Sequence, residues 1–445
     1  MERIITDVET PVSAFLKLKN FKPVFLLESV EQGKILGRYS FIGCSPKKKI
    51  VFDKIEPRTK FWEALEQEYK KIIKRNNRKS NLRFTGGLVG YTGYDAIRTI
   101  EKIPNINEKT FDIPDALYVI PDFLVVFDHL KHSLIIVHEE DEEEKKLAKE
   151  IKMCLEKEKI KKDMKKIKVY GPYSLEKKQD FVSKVKFLKN CIRKGEIFQC
   201  VISVRFEGKV NIEPFNIYRA LRFLNPSPYL FYLDFDDYKI IGSSPEVLVR
   251  KERDELLTCP IAGTRPVFEN EEINKKMEKE LLEDEKENAE HLMLVDLARN
   301  DLGKIALPGT IKVDRYRVIE RFSHVMHLVT YIKGKVDSKY SIFDILKACF
   351  PAGTVTGAPK VRAMELIEES EQQRRGPYAG SVGYFDEKGN MDQAILIRAI
   401  FMRGDDFFYQ AGAGIVHDSV PEKEWEECHN KGEVLKRSIL ISGEI

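Results

Sequence analysis

Between residues 23 and 138 the apolar residues come in short runs, PVFLLES, RYSFIG, LYVIPDFLVVF and LIIVH, separated by turn residues such as the Gly86-Gly87 pair. Short apolar runs bounded by turn residues read as strands, whereas helices need longer periodic stretches. One helical stretch, FWEALEQEYKKIIKR, interrupts them. At Glu139 the pattern breaks into EEDEEEKKLAKEIKMCLEKEKIKKDMKKIK, which has no Gly or Pro and carries opposite charges about a turn apart. That spacing predicts an exposed helix and connector. The chain therefore divides near residue 168, with a strand-rich region and its connector over 1–168. The remainder, 169–445, opens with the helical LEKKQDFVSKVKFLKNCIRKGE and the alternating IFQCVISVRFEG and then mixes strands with helices.

A chain of 445 residues with 42% hydrophobic content can bury a large core. Its 75 basic and 71 acidic residues are interleaved, and a net charge of +4 gives no surface dedicated to nucleic acid. No run of about 18 apolar residues is present, so no membrane span is expected. The opening MERIITDVET lacks the order of a signal peptide, which makes the expected location cytoplasmic. Seven cysteines without a CxxC pair suggest neither a disulfide framework nor a zinc ribbon. A small molecule or another protein is the expected partner.

Several segments put charge on apolar faces. In LLEDEKENAEHLMLVDLARNDLG, residues 281–303, helical stepping aligns Glu287, Glu290, Leu294, Leu297 and Asp301. Two carboxylates on a core-type stripe are either a solvated acidic turn or a pair awaiting a cation. A second ExxE in VPEKEWEECHNKGEVLKR aligns Glu424, Glu427, Lys431 and Leu435. Two such helices can supply the oxygens that an octahedral magnesium takes.

Arg398, within the apolar strand AILIRAIF, either receives a carboxylate or points to solvent at a strand edge. Gly412 and Gly414 in QAGAGIV allow close backbone approach or simply tight packing. FPAGTVTGAPK fails the GxxxxGK[ST] spacing of a phosphate loop. In RFSHVMHLVTYIKG, a strand places His324 and His327 on opposite faces, which disfavours a shared metal. No GxSxG or reactive-cysteine signature is present, so covalent acyl chemistry is not expected.

Taken in order, PIAGTRP, DEKENAEHLMLVDLARNDLG, RFSHVMHLV, FPAGTVTGAPKVRAMELI and QAGAGIVHDSVPEKEWEE closely resemble the chorismate-utilising enzymes. The resemblance spans nearly the whole chain and is densest from 195 to 437. It implies an α+β fold with large antiparallel β-sheets flanked by helices and an active site in the cleft between them. It also implies Mg²⁺ on Glu290 and Glu427, with Glu287 and Glu424 helping partly through water, gripping the ring carboxylate of chorismate. Arg398, Tyr378, Lys431 and the amides of Gly412, Ala413 and Gly414 would receive the substrate carboxylates. Glu246 in SSPEVLV would be the general acid for the departing C4 hydroxyl, and should be hard to ionise. His327 would serve the later pyruvate elimination, and Ala262, Gly263, Thr264 and Thr354 would line the site.

Relatives that add water carry a lysine where this chain has Gln199, and those that form aminodeoxychorismate for folate carry one where it has Ala262. The absence of both implies direct attack by ammonia, giving anthranilate and pyruvate, the first step of tryptophan biosynthesis. Aminodeoxychorismate formation is the alternative, because some of those relatives also have alanine. No GxCxGxQ block is present, which implies a separate glutamine amidotransferase subunit and a hetero-oligomer. The LLES stretch resembles half of a feedback site for L-tryptophan. Glu28, Ser29, the NPSPYL residues Asn225, Pro228, Tyr229 and Leu230, and Val382, Gly383 and Tyr384 would enclose the inhibitor.

Overall fold

The computed structural model describes residues 2–5, 8–29, 37–73, 82–138, 142–157, 167–322 and 325–445. Among them twenty strands join into one extended sheet. Along Tyr229–Phe235, Phe231 and Leu233 enter one apolar core while Leu230 and Tyr232 enter another. Pro23–Glu28 does the same, with Phe25 on one side and Leu26 on the other. Successive strand side chains point to opposite faces, so a strand covered on both sides reads as an unbroken apolar run. That is why PVFLLES and LYVIPDFLVVF show no polar alternation. Helices cover both faces. Phe61–Ile73 and Ile342–Cys349 contribute to the first core, and Lys178–Arg193, Pro214–Leu224 and Pro421–Ile441 to the second.

The sheet runs through the boundary placed near residue 168. Pro23–Glu28 pairs antiparallel with Tyr229–Phe235, and Gly87–Thr92 pairs antiparallel with Ser381–Asp386. Within the charged connector, Glu142–Lys157 is helical, but it is not wholly exposed. Ala148, Ile151 and Leu155, spaced by about one turn, bury one face against the second core. Their stripe is hard to see in a segment where nearly every other residue is charged.

Two elements differ from the sequence reading in ways that shape the cleft. The acidic helix begins at Glu285, not at Leu281, because Asp284 closes the preceding helix and caps the next by accepting from the amides of Lys286 and Glu287, both at 3.1 Å. AILIRAIF is not one strand: Met391–Ile395 and Ala399–Arg403 are separate, and Arg398 between them has φ 51°. A non-glycine residue there is strained, and such strain concentrates where a side chain must be aimed. None of the seven cysteines is in a disulfide, and no helix among the described residues is long and apolar enough to cross a membrane.

Candidate active site

PIAGTRP forms the strand Ile261–Pro266, paired antiparallel with Val325–Lys335. Its register jumps from Ala262 opposite Leu328 to Arg265 opposite Met326, so Gly263 and Thr264 together face His327. This is a β-bulge, and Gly263 at φ 62° supplies the left-handed residue that it needs. The bulge turns the Gly263 carbonyl to 2.8 Å and the Thr264 hydroxyl to 3.1 Å from His327 Nδ1. A carbonyl can only accept, so Nδ1 carries the proton and Nε2 keeps its lone pair. Burial, with Arg398 and Lys431 adding to it, lowers the His327 pKa to about 4, so the ring is neutral at physiological pH. Thr264 thus orients the imidazole. His324 lies outside the described residues.

Arg265 was left without a role by sequence reasoning. Its guanidinium reaches Asp284 at 2.8 Å, Glu280 at 3.2 Å and Glu287 at 3.5 Å, tying the bulge to the start of the acidic helix.

Glu246 occupies the connection between the strands Tyr238–Ser244 and Val247–Glu252 and is buried. Thr354 donates to its Oε2 at 3.2 Å. Burial is the dominant effect and raises the carboxyl pKa to about 8, against the opposing hydrogen bond from Thr354. A carboxylic acid that keeps its proton at neutral pH is suited to protonating a leaving group. It lines a cavity of about 390 Å³ with Thr258, Pro260, Leu294, Leu297 and Asp301. The apolar continuation of the ExxE stripe therefore forms a wall beside the acid. Lys360 of the GAPK segment is held by Asp301 at 2.6 Å.

The four glutamates bring like charges together. Burial raises the Glu290 pKa, and Glu287 and Glu427 raise it further. Glu424 is likewise raised by burial, with a contribution from Glu427 opposed by a hydrogen bond from Ser419. Each of three carboxylates has one oxygen engaged: Glu290 Oε1 by the Gln199 amide at 3.0 Å, Glu287 Oε1 by Arg265 and Glu427 Oε1 by Lys431 at 2.5 Å. Among the described residues no three acidic, histidine or cysteine side chains are already closed around one point. The donor set still fits a hard divalent cation, because it is all oxygen and its repulsion is only partly relieved.

Arg398 is largely enclosed, and its guanidinium makes no hydrogen bond or ion pair within the described residues. Burial lowers its pKa, with Tyr378 and Glu427 opposing. An enclosed cation without a partner is a seat for an anion. The Tyr378 hydroxyl comes close to the backbone here: a Cβ at Gly412 would lie 2.9 Å from it, and one at Gly414 would lie 2.7 Å from Gln199 Nε2.

Two expectations for carboxylate binding need correction. Ser203 donates its amide to Glu371, at 3.0 Å, and Gly412 lies opposite Ser203 in the Asp406–Ile415 ladder. Hydrogen-bonded pairs alternate along an antiparallel ladder. The amides of Gly412 and Gly414 therefore point outward, while that of Ala413 is consumed by Ile202. Lys431 is not a free cation either. It holds Glu427, one helical turn away, and the Gly412 carbonyl at 3.0 Å.

A second cavity, of about 590 Å³, brings together Glu28, Ser29, Pro228, Tyr229, Leu230, Val382, Gly383 and Tyr384. Its walls are mostly apolar, and the buried Ser29 hydroxyl has no partner. Asn225 does not line it. That residue closes the helix Pro214–Leu224, and its side-chain amide donates to Ser243 at 3.0 Å. Glu28, a surface residue to any unaided reading of LLES, is 5% exposed. Its carboxylate accepts from the Tyr218 hydroxyl and from Nε and Nη2 of Arg222, the latter two at 2.9 and 3.2 Å. Sequence reasoning also missed Arg250 and Asp392, which lie 2.9 Å apart and both bond the Tyr229 hydroxyl. Both sit in strands where nothing marks their charge as paired.

The profile of the chorismate binding enzyme family matches residues 22–437. The anthranilate synthase component 1 of Aquifex aeolicus is 46% identical, over 99% of this chain and 94% of that protein. The one from Acetivibrio thermocellus is 44% identical, over 99% and 95%. Among solved structures, anthranilate synthase component I from Streptococcus pneumoniae superposes with a TM-score of 0.81 at 36% identity, covering 98% of this chain and 99% of that one. The menaquinone-specific isochorismate synthase of Escherichia coli, at 20% identity and a TM-score of 0.74 over 98% of this chain and 94% of that one, shares the fold.

Proposed function

The chain belongs to the chorismate binding enzyme family, and on that premise we propose that it converts chorismate and ammonia to anthranilate and pyruvate. The observations that carry this reading are Glu246, a buried carboxylic acid pushed up to about 8, and Arg398, a partnerless cation that acts on His327 and Glu427. Arg398, Tyr378 and the outward amides of Gly412 and Gly414 bind the substrate carboxylates. Glu290 and Glu427, each with one oxygen unengaged, would hold Mg²⁺ with Glu287 and Glu424 at its periphery. When bound, the ion anchors the ring carboxylate and offsets the glutamate repulsion.

Glu246 gives its proton to the C4 hydroxyl, which leaves as water while ammonia adds at C2 and sheds a proton. The methyl group of Ala262 and the amide of Gln199 leave that approach open and offer no competing nucleophile. His327 Nε2 then takes the C2 proton as the C3–O bond breaks, releasing enolpyruvate, which becomes pyruvate. A weak base suffices because the loss makes the ring aromatic. Ammonia comes from glutamine through a separate amidotransferase subunit, in keeping with the component 1 names of the relatives. The second cavity holds L-tryptophan as a feedback inhibitor, its indole among the apolar walls and its polar end toward Ser29.

The test is product analysis of the purified chain with chorismate, Mg²⁺ and ammonium near pH 7.5, where Glu246 keeps most of its proton and ammonium still supplies some free ammonia. Anthranilate and pyruvate are expected in equal amounts, with L-tryptophan suppressing both. Accumulation of 4-amino-4-deoxychorismate without pyruvate would overturn the reading in favour of the folate branch. Turnover that ignores L-tryptophan would remove the assignment of the second cavity.

A further inference from the structure

Arg375 lies outside both cavities, yet it is among the most completely buried side chains of the molecule, at 2% exposure. Its guanidinium donates to the carbonyls of Val355 and Val201, each at 2.7 Å, and to both oxygens of Glu371, at 2.7 and 3.0 Å. The same group lies 4.9 Å from the ring centre of Tyr94 and 5.6 Å from that of Tyr378. Glu371 in turn accepts from the amide and hydroxyl of Ser203, at 3.0 and 2.6 Å.

These contacts lead to two sides of the cleft. Val355 follows Thr354, whose hydroxyl holds Glu246. Val201 lies two residues beyond Gln199, which holds Glu290, and is paired with Gly414. Ser203 is paired with Gly412. Tyr378 presents its hydroxyl to Gly412. One planar fork with fixed donor directions can satisfy all of them at once, which a lysine ammonium cannot. We infer that Arg375 is a positioning residue that holds the acid side of the cleft, Thr354 and Glu246, in register with its carboxylate-binding side, Tyr378 and the Gly412–Gly414 edge.

The inference rests on the cleft being the chorismate site, and the two fail differently. Wild-type protein that turns over no chorismate overturns the site, whereas only variants bear on Arg375. Arg375→Lys, assayed well below its unfolding midpoint, is expected to lose about 100-fold in kcat, the size of effect that a small misplacement of reacting groups produces. Its KM for chorismate is expected to rise about tenfold through Tyr378. The alkaline limb of its pH profile should move upward, because loosening Thr354 removes a hydrogen bond that favours ionised Glu246. In the double variant Arg375→Lys with Thr354→Val, the combined loss should be clearly smaller than the product of the single losses. L-tryptophan binding, measured by calorimetry, serves as the control for fold.

A folded Arg375→Lys with wild-type kcat, KM and pH profile, differing only in its unfolding midpoint, would overturn the inference. If Arg375→Lys does not fold, Glu371→Gln decides. It keeps the fork but weakens its anchor, and about a tenfold loss in kcat with the same upward pH shift is expected. Unchanged kinetics in that variant would overturn the inference equally.

Discussion

Glu246→Gln is expected to stabilise the fold at pH 7 by about 3 kcal/mol, and to lower turnover by about 100-fold or more. Burial raises the carboxyl from its ordinary 4.5 to about 8. The folded chain therefore retains a proton that the unfolded chain releases. Stability from this group is greatest below pH 4.5 and is lost as pH rises toward 8. Glutamine has the same shape and does not titrate, so the variant escapes that loss. Urea unfolding of both proteins at pH 5 and pH 7.5 checks the sign: the two should nearly coincide at pH 5 and separate at pH 7.5. A variant less stable than wild type at pH 7.5 would contradict the assignment of Glu246 as a buried acid. The kinetic counterpart is an activity of the wild type that declines as pH rises through about 8.

Arg398→Met carries the second large effect. The enclosed guanidinium has no anion of its own, and its backbone is held at φ 51°. Removing it is expected to weaken chorismate binding by about 100-fold, the loss of roughly 3 kcal/mol that a charge-assisted contact supplies. The free protein should melt no lower, and preferably higher, because an uncompensated charge leaves a low-dielectric site. Calorimetry of chorismate binding without ammonia and a thermal melt of the free protein test the two halves. A lower midpoint with unchanged affinity would place Arg398 in a structural role.

Both predictions describe a cleft whose groups are uncomfortable until ligands arrive. Glu246 must keep a proton, Arg398 lacks a counter-ion, and Glu290 faces the charges of Glu287 and Glu427. This discomfort was partly legible in the sequence, where the two ExxE stripes and the arginine amid AILIRAIF stand out as charges on apolar faces. The antiparallel fold follows from the family resemblance, which also named Glu246, Thr354, His327 and Thr264; the structure joins them as two pairs, Thr354 with Glu246 and Thr264 with His327.

What escaped reading depends on geometry that spacing does not encode. The Gly263 bulge reassigns Thr264 to His327, and it is visible only once the register against Val325–Lys335 is known. Ala413 loses its amide to the ladder by the same kind of alternation. Asn225 closes a helix, because nearer partners win over expected ligands, and Lys431 is claimed by Glu427, a pairing that the helical spacing does show. Arg265, Arg250 and Arg375 find carboxylates or carbonyls distant in the chain, and Asp392 finds the Arg250 guanidinium, so nothing in their local sequence marks them.

The most direct measurement is chorismate binding to the wild-type chain by calorimetry in the absence of ammonia, with and without Mg²⁺. A cleft that seats the dianion between Arg398 and a cation on Glu290 and Glu427 should bind chorismate at least about tenfold more tightly with Mg²⁺, and chorismate should tighten Mg²⁺ by the same factor. Chorismate affinity that is indifferent to Mg²⁺, or no binding at all, would contradict it.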